Sequence, residues 1–375
     1  MSDSPSLSIL HTESSCGWGG QEIRLLDEAA GMIARGHRVQ LLAPAEARIV
    51  AAAPRYGVPV TPLPIGRKNL RGLWAVWNWL RVNPVSVVVT HSSTDSWLLA
   101  VAARLLRRAP PLVRLRHISS PVPANLPTRW LYGRAARHVV TTAEKIRQDL
   151  LRGQGLSPER VTSVPTGLDL RRFAPGDRAA ARLGLGLDPG VFLIGIVATL
   201  RSWKGHRHLI EAFKLLPEGA ARLVVVGDGP QRENLRRQVT GAGLGDRVLL
   251  AGHQDDVLPW LTALDLFVLP SYAHEGVPQA LMQAMACGLA VISTPVGGIA
   301  ETVTDGDNGL LVPPQDPPAL AQAMAKLLTA GDTRRRLGLA ARAHAERHFS
   351  RESMLTRMES ILREAAGLGP TGAGR

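Results

Sequence analysis

Short apolar runs alternate with segments of helical periodicity along almost the whole chain. In the first half, the apolar runs predict strands at residues 7–11, 39–42, 58–62, 85–90, 112–116, 138–141 and 161–164. The predicted helices between them cover residues 21–35, 70–81, 95–108, 125–134 and 143–152. Strands that are apolar throughout, with helices between most of them, are typical of a parallel, doubly wound sheet. We therefore expect an α/β domain over residues 1–173.

A second series of the same kind follows. Its predicted strands are residues 191–199, 223–226, 248–251, 265–269, 290–293 and 309–312, and its predicted helices include 276–287, 317–329, 333–348 and 351–366. The segment 174–190 is rich in Gly, Pro, Ala and Arg, which is typical of a linker. A chain of 375 residues is also long enough for two cores. We expect a second α/β domain over residues 191–350.

Polar residues of the second series concentrate in the stretch 271–301. A polar turn ends at Glu275, and Gln283 follows eight residues later on the predicted helix 276–287. Eight helical residues span about 12 Å, so the two side chains suit the two ends of an elongated ligand. A capping acid and an incidental polar residue explain the same spacing equally well. Gly297 and Gly298 open another predicted helix, whose free N–H groups favour an anion.

Further polar residues follow other predicted strands. Arg201 and Lys204 come just after the strand 191–199, where two cations suit a diphosphate. His91 and His117 come at the ends of two strands of the first half, although a lone histidine is more often structural than chemical. The turn 12–20 ends in Gly19 and Gly20 before a helix, without the G-x-G-x-x-G spacing of a dinucleotide fold.

The sequence of the stretch 271–301 resembles a motif of a known family. S-x-x-x-E-G-x-P-x-x-L-x-x-A-M-A-C-G, followed by P-V-G-G-I-x-E, is similar to the E-x7-E region of the retaining family-4 glycosyltransferases with a GT-B fold. The resemblance implies that Glu275 contacts the donor sugar. Gln283 stands where the family usually has the second acid, which holds the ribose, and an amide there is an uncharged partner. It also implies that Arg201 and Lys204 contact the donor pyrophosphate.

The resemblance extends to the first half. It places Gly19 and Gly20 beside the donor diphosphate and the acceptor, and His117 near the transferred sugar. Arg116 and His91 become candidates on the acceptor side. The family's GT-B fold has two Rossmann-like domains that face a cleft, with a C-terminal helix, here about 351–366, crossing back to the first domain.

The function implied is transfer of a sugar from a nucleotide-diphosphate donor with retention of anomeric configuration. We expect no cofactor and no metal, because no D-x-D carboxylate pair is convincingly placed and cations are available for the leaving diphosphate. Three alternatives stay open at this point: a GT-B nucleotide-sugar epimerase, a nucleic-acid-binding protein that uses the basic first half, and an inactive binding module. The absence of a nucleic-acid motif argues against the second alternative, so we expect no nucleic-acid partner.

The net charge is distributed unevenly along the chain. The net charge is +13, and residues 1–172 supply most of it, with 23 Lys and Arg against 11 Asp and Glu. A basic surface of this kind suits an anionic partner or serves solubility alone. We expect a glycan or lipid-linked acceptor, as in lipopolysaccharide or other cell-surface glycan synthesis, at the inner face of a membrane. The residues proposed to face that membrane are Arg67, Lys68, Arg71, Arg104, Arg107 and Arg108, with Trp74 and Trp77 as interfacial anchors.

The two cysteines and the hydropathy bear on the compartment. Cys16 and Cys287 lie far apart in the chain, which fits a reducing environment better than a disulfide framework. No window holds 18 uncharged apolar residues, so we expect no membrane span. These features favour a cytoplasmic protein.

Overall fold

A computed structural model describes residues 5–369, which form two compact units. Within the described chain, the first unit contains residues 5–167 and 352–369, and the second contains 168–351. Each unit has a parallel sheet, as the alternation of apolar runs and helices predicts.

The first unit is built on a seven-stranded parallel sheet. Its strands are β1 Ser8–Thr12, β2 Arg38–Ala43, β3 Val60–Pro62, β4 Val87–Thr90, β5 Leu112–Arg116, β6 Ala136–Thr141 and β7 Val161–Ser163. Its first six helices are α1 Gly20–Ala34, α2 Arg48–Ala52, α3 Leu70–Val82, α4 Ser93–Arg104, α5 Leu126–Trp130 and α6 Glu144–Gln154. The strand order is β3-β2-β1-β4-β5-β6-β7, so β4 lies between β1 and β5. The carboxyl ends of these three strands therefore meet at one edge of the sheet.

The second unit has a six-stranded parallel sheet. Its strands are β8 Leu193–Val197, β9 Arg222–Val226, β10 Val248–Gly252, β11 Leu266–Leu269, β12 Ala290–Ser293 and β13 Leu310–Leu311. Its helices are α7 Arg178–Gly184, α8 His206–Lys214, α9 Arg232–Gly241, α10 Leu258–Ala263, α11 Gln279–Ala286, α12 Ile299–Thr302, α13 Pro317–Thr329 and α14 Gly331–His348. The order β10-β9-β8-β11-β12-β13 places β8 beside β11, and both strands are completely buried.

The last helix, α15 Arg351–Ala365, belongs to the first unit apart from its first residue. Its residues Met354, Leu355 and Met358 are buried in the same core cluster as Leu26 of α1. Arg35 at the end of α1 adds an ion pair to Glu359, with 2.8 Å between Nη1 and Oε2. The expectation that the C-terminal helix returns to the first domain is confirmed.

The expected linker over residues 174–190 is wrong. Residues 168–190 group with the second unit, and α7 lies within this segment. Arg182 of α7 is 5% exposed and bonds Asp265, with 2.5 Å between Nη2 and Oδ2. Asp265 also accepts from the backbone N–H of Leu193 at the start of β8. A buried arginine with a carboxylate partner fixes this segment to its sheet, which a Gly- and Pro-rich composition does not reveal.

Helix α14 approaches the chain before β12 very closely. A Cβ atom on Gly338 would overlap the carbonyl oxygen of Gly288. We expect Gly338→Ala to lower the free energy of unfolding by about 1–3 kcal/mol, because neither backbone can move without disturbing its neighbours. Urea denaturation measures the change.

The matched control is Gly241→Ala at the end of α9, where an added Cβ meets nothing within 4 Å. This substitution should leave stability unchanged or raise it by up to about 1 kcal/mol. Equal effects of the two substitutions would contradict the close packing of α14.

Candidate functional site

An ion pair joins two adjacent strand ends of the second unit. Lys204 ends the short 3-10 turn after β8, and its Nζ lies 2.7 Å from Oε1 and 2.9 Å from Oε2 of Glu275. Ser271, just past β11, donates its hydroxyl to Glu275 Oε1 at 2.6 Å. The Glu275 side chain is only 5% exposed, against 19% for that of Lys204. The structure thus brings together two of the predicted donor-binding residues at the edge where ligands of parallel sheets bind.

Two glycines allow the backbone to close around this pair. Gly205 has φ +78°, and a Cβ atom there would overlap the carbonyl oxygen of Pro270. Gly297 has φ +59°, and its Cβ would overlap the carbonyl oxygen of Glu275. The neighbouring Gly298 donates its N–H to Gly276 O at 3.1 Å. Gly297 and Gly298 therefore support the turn that carries Glu275.

Arg201 lies at the exposed side of the same loop. Its guanidinium stands 5.7 Å from the ring centroid of Trp203, close enough for a cation–π contact. Trp203 in turn meets the His274 ring edge-on at 5.6 Å, and its carbonyl oxygen accepts from the N–H of Tyr272 at 2.8 Å. An accessible guanidinium beside a bound lysine is suited to an anion that arrives from solvent.

The structure differs from the predicted site in two details. The helix expected from residue 276 begins at Gln279, because Pro278 disfavours helical backbone at the residue before it. Glu275 and Gln283 are therefore not two turns apart on one helix. Gln283 is nearly buried on α11, and no hydrogen bond links it to Glu275 within residues 5–369. The helix after Gly298, α12, has only four residues, so its dipole is smaller than we expected.

Three histidines form a row at the sheet edge of the first unit. Nδ1 of His11 lies 3.0 Å from Nε2 of His91, and Nδ1 of His91 lies 3.0 Å from Nε2 of His117. Burial lowers the pKa of His11 to about 4. Burial and the neighbouring cations, Arg24 and Arg114 among them, also hold the pKa of His117 well below its usual range. All three rings are therefore neutral at pH 7.

Buried carboxyl groups lie next to this row. Asp95 accepts hydrogen bonds from the Thr12 hydroxyl at 2.8 Å and from the backbone N–H of His91 at 2.9 Å. Burial, together with the carboxyl of Glu13, raises the pKa of Asp95 to about 7. Glu13 accepts from the backbone N–H of Ser15 at 2.7 Å and from the Ser92 hydroxyl. These acids fix the loops after β1 and β4.

The remaining predicted residues of the first unit lie in the loops at this edge. Gly19 is the N-cap residue of α1 and accepts from the N–H of Ile23 at 3.1 Å, while Gly20 is the first residue of that helix. Arg116 is half-buried, and its guanidinium donates to Ser120 O and to the Tyr132 hydroxyl. Arg116 thus holds the loop after β5.

Sequence reasoning missed four polar residues of these sites: His11, Glu13, Asp95 and Ser271. All four were visible near a strand end. Their partners become evident only when β1, β4 and β5 are known to be neighbours and when β11 is known to lie beside β8.

The chain has relatives among known proteins. The chain is 31% identical over 332 residues to the D-inositol 3-phosphate glycosyltransferase of Streptomyces bingchenggensis, covering 80% of this chain and 71% of the relative. It is 35% identical over 237 residues to the enzyme of that name from Nocardia farcinica, covering 60% of this chain and about half (52%) of the relative. It is 34% identical over 215 residues to 2-deoxystreptamine N-acetyl-D-glucosaminyltransferase of Streptomyces fradiae, covering 56% and 51%.

Solved structures show the same fold. HepE from Anabaena, crystallised with UDP-glucose, matches with a TM-score of 0.86 at 24% identity over 96% of this chain and 100% of its own. A glycosyltransferase from Rickettsia africae matches with a TM-score of 0.85 at 19% identity, over 96% of this chain and 98% of its own. Both are GT-B-like neighbours, so the predicted fold class is confirmed.

The contact between Gly297 and Glu275 generates a stability test. We expect Gly297→Ala to reduce the free energy of unfolding by about 1–3 kcal/mol more than Gly306→Ala does, because only the first places a Cβ against a backbone carbonyl. Gly306 is a matched control, since it also has a positive φ, +74°, and its Cβ would meet nothing within 4 Å. Equal losses in chemical denaturation would show that the turn at Glu275 does not depend on this contact.

Family models complete the comparison. The model described as Glycosyltransferase Family 4 matches residues 18–172, and the model described as Glycosyl transferases group 1 matches residues 191–330. The first match includes the histidines at positions 91 and 117, and the second includes Arg201, Lys204 and Glu275. The chain belongs to glycosyltransferase family 4.

Proposed function

We propose that this enzyme transfers a sugar from a nucleoside diphosphate sugar to a hydroxyl group of a glycan or lipid-linked acceptor, with retention of anomeric configuration. The bond between the anomeric carbon and the diphosphate oxygen breaks, and a bond to the acceptor oxygen forms. The products are the glycosylated acceptor, the nucleoside diphosphate and a proton. The observation that carries the proposal is the Lys204–Glu275 pair beside the accessible Arg201.

The pair offers complementary groups to a donor. Lys204 has three N–H donors, and two point to the carboxylate oxygens of Glu275, which leaves the third for a phosphate oxygen. Glu275 accepts hydrogen bonds only, which suits the hydroxyl groups of a sugar. Arg201 adds a planar guanidinium that binds phosphate oxygens in pairs. One turn of the second unit thus presents groups for both halves of a sugar diphosphate.

Cations at this position also serve the chemistry. Negative charge accumulates on the diphosphate as the glycosidic bond breaks, so Arg201 and Lys204 stabilise the transition state more than the bound donor. We propose that they do so without a metal ion. We further propose that the uncharged amide of Gln283 forms a hydrogen bond to the ribose of the nucleoside, without the charge that a carboxylate would bring.

The identity of the donor is open to direct measurement. HepE was crystallised with UDP-glucose, which makes UDP-sugars the first probes for this enzyme. We would incubate the protein with UDP-, GDP- and ADP-sugars and record the melting temperature, since a ligand that binds only the folded state raises it. Stabilisation by one nucleotide series supports the proposal. A donor that is converted to an isomer, with no acceptor product, would favour the epimerase alternative.

The acceptor is proposed to lie on an anionic membrane. Helix α3 exposes Leu70 to 82% and Trp74 to 64%, although it buries Gly72, Val76 and Leu80. The six basic residues named for this surface, Arg67, Lys68, Arg71, Arg104, Arg107 and Arg108, are all exposed. Exposed aromatic and apolar side chains among cations suit the interface of an anionic bilayer. Between residues 5 and 369, no helix is long and apolar enough to cross a bilayer.

The donor proposal gives a kinetic prediction. Replacing Arg201 or Lys204 with Ala should lower kcat/KM, with a loss of transition-state stabilisation of about 2–4 kcal/mol, because the transition-state diphosphate loses a cation. Steady-state rates with the identified donor measure the loss. Arg207→Ala is the matched control, since Arg207 is an exposed arginine of the same unit that pairs with Glu211. Near wild-type activity of both Arg201→Ala and Lys204→Ala would place the diphosphate elsewhere.

The membrane proposal has a separate test. Liposome co-sedimentation should show binding to vesicles with anionic lipid that falls with salt, since each basic residue near the surface contributes about 1 kcal/mol. Neutralising Arg67, Lys68 and Arg71 together should weaken binding. The matched triple variant neutralises three exposed arginines of α9 in the second unit, Arg232, Arg236 and Arg237, and should bind as wild type does. No binding at low salt would leave the basic surface as a solubilising one.

A further inference from the structure

The three histidines of the row lie on, or directly after, three adjacent strands of the first unit. His11 belongs to β1, His91 directly follows β4, and His117 directly follows β5. Successive rings meet edge to edge and lie near one plane, with centroids 5.3 Å apart in both pairs and interplanar angles of 29° and 24°. Each contact also joins an Nδ1 atom to an Nε2 atom at 3.0 Å. The row is therefore a continuous chain of nitrogen–nitrogen hydrogen bonds.

A neutral imidazole carries one N–H and one lone pair, so the row has only two consistent arrangements. In the first, every Nδ1 carries the proton and donates towards His117. In the second, every Nε2 carries it and donates towards His11. The choice for one ring fixes the choice for the other two.

The buried end of the row selects between them. Nε2 of His11 is buried, and it has no hydrogen-bond partner in the part of the chain that the structure describes. A buried N–H without an acceptor is rarer in proteins than an unsatisfied acceptor, so this nitrogen holds the lone pair. His11 then donates from Nδ1 to His91, and His91 donates from Nδ1 to His117.

We propose that His11 and His91 are positioning residues that set the tautomer of His117, so that His117 presents its Nδ1–H as a hydrogen-bond donor to a substrate oxygen. His117 is partly accessible, and within residues 5–369 its Nδ1 has no protein partner. Three cations nearby, Arg24, Arg114 and Arg116, oppose a proton on this ring as a second charge. In this arrangement His117 donates a hydrogen bond and does not act as a base. Its contact with substrate rests on the proposed function, whereas the tautomer of the row does not.

The first experiment reads the tautomers without any substrate. In deuterated protein labelled with 15N-histidine, proton–nitrogen correlations at pH 7.5 should show the proton on Nδ1 of His11, His91 and His117. A scalar coupling across the hydrogen bond should connect Nδ1 of His91 with Nε2 of His117. His117→Asn and His138→Asn assign the signals, since His138 lies outside the row and bonds Thr162 through its Nε2. A proton on Nε2 of His117 would overturn the proposal, whether or not the protein binds a nucleotide sugar.

The second experiment uses the shapes of two amide side chains. Asn places its amide near the position of histidine Nδ1, and Gln places it near Nε2. His117→Asn should keep kcat within about 10-fold of wild type, whereas His117→Gln should lose about 100- to 1,000-fold, as when one transition-state donor is removed. Donor KM should change little in either. Equal loss in the two variants would contradict a donor at Nδ1. Failure of the donor screen would instead concern the proposed function and leave the NMR result valid.

Discussion

The ion pair between Lys204 and Glu275 links two loops that are about 70 residues apart in the chain. It exists because β8 and β11 are neighbours in a parallel sheet, so the loops after both strands leave the sheet at the same edge. The hydroxyl of Ser271 and the close approach of Gly297 hold the carboxylate where the lysine can reach it. The proposed donor site depends on this arrangement, because Arg201 and Lys204 belong to one turn and Glu275 to the other.

The first unit applies the same constraint to different chemistry. The edge formed by β1, β4 and β5 carries a row of neutral histidines and buried carboxyl groups whose pKa values are raised by burial. Polar groups are costly to bury unless they are hydrogen-bonded, so such a network restricts the conformations of its loops. The two units thus offer different chemistry: cations beside a carboxylate in one, and neutral hydrogen-bonded histidines in the other.

Much of this could be predicted from the sequence, and the failures have physical causes. Uniformly apolar strands indicated the two parallel sheets, because burial on both faces leaves a clear pattern. The segment 174–190 was misread as a linker because the partner that fixes Arg182, Asp265, lies far away in the chain. The predicted start of α11, at residue 276, was too early because the apolar spacing of the helix continues on the N-terminal side of Pro278. The histidine row could not be predicted, since it requires the strand order and not only the strand positions.

A double-mutant cycle on Lys204 and Glu275 tests whether their ion pair organises the donor site. Titration calorimetry would measure the affinity of UDP, GDP and ADP for wild type, and then of the tightest for Lys204→Met, Glu275→Gln and the double variant. We expect a coupling of about 1–3 kcal/mol, because residues in contact at one site do not act additively. Additive effects to within about 0.3 kcal/mol, or no binding of any diphosphate to wild type, would contradict the claim that this ion pair organises the donor site.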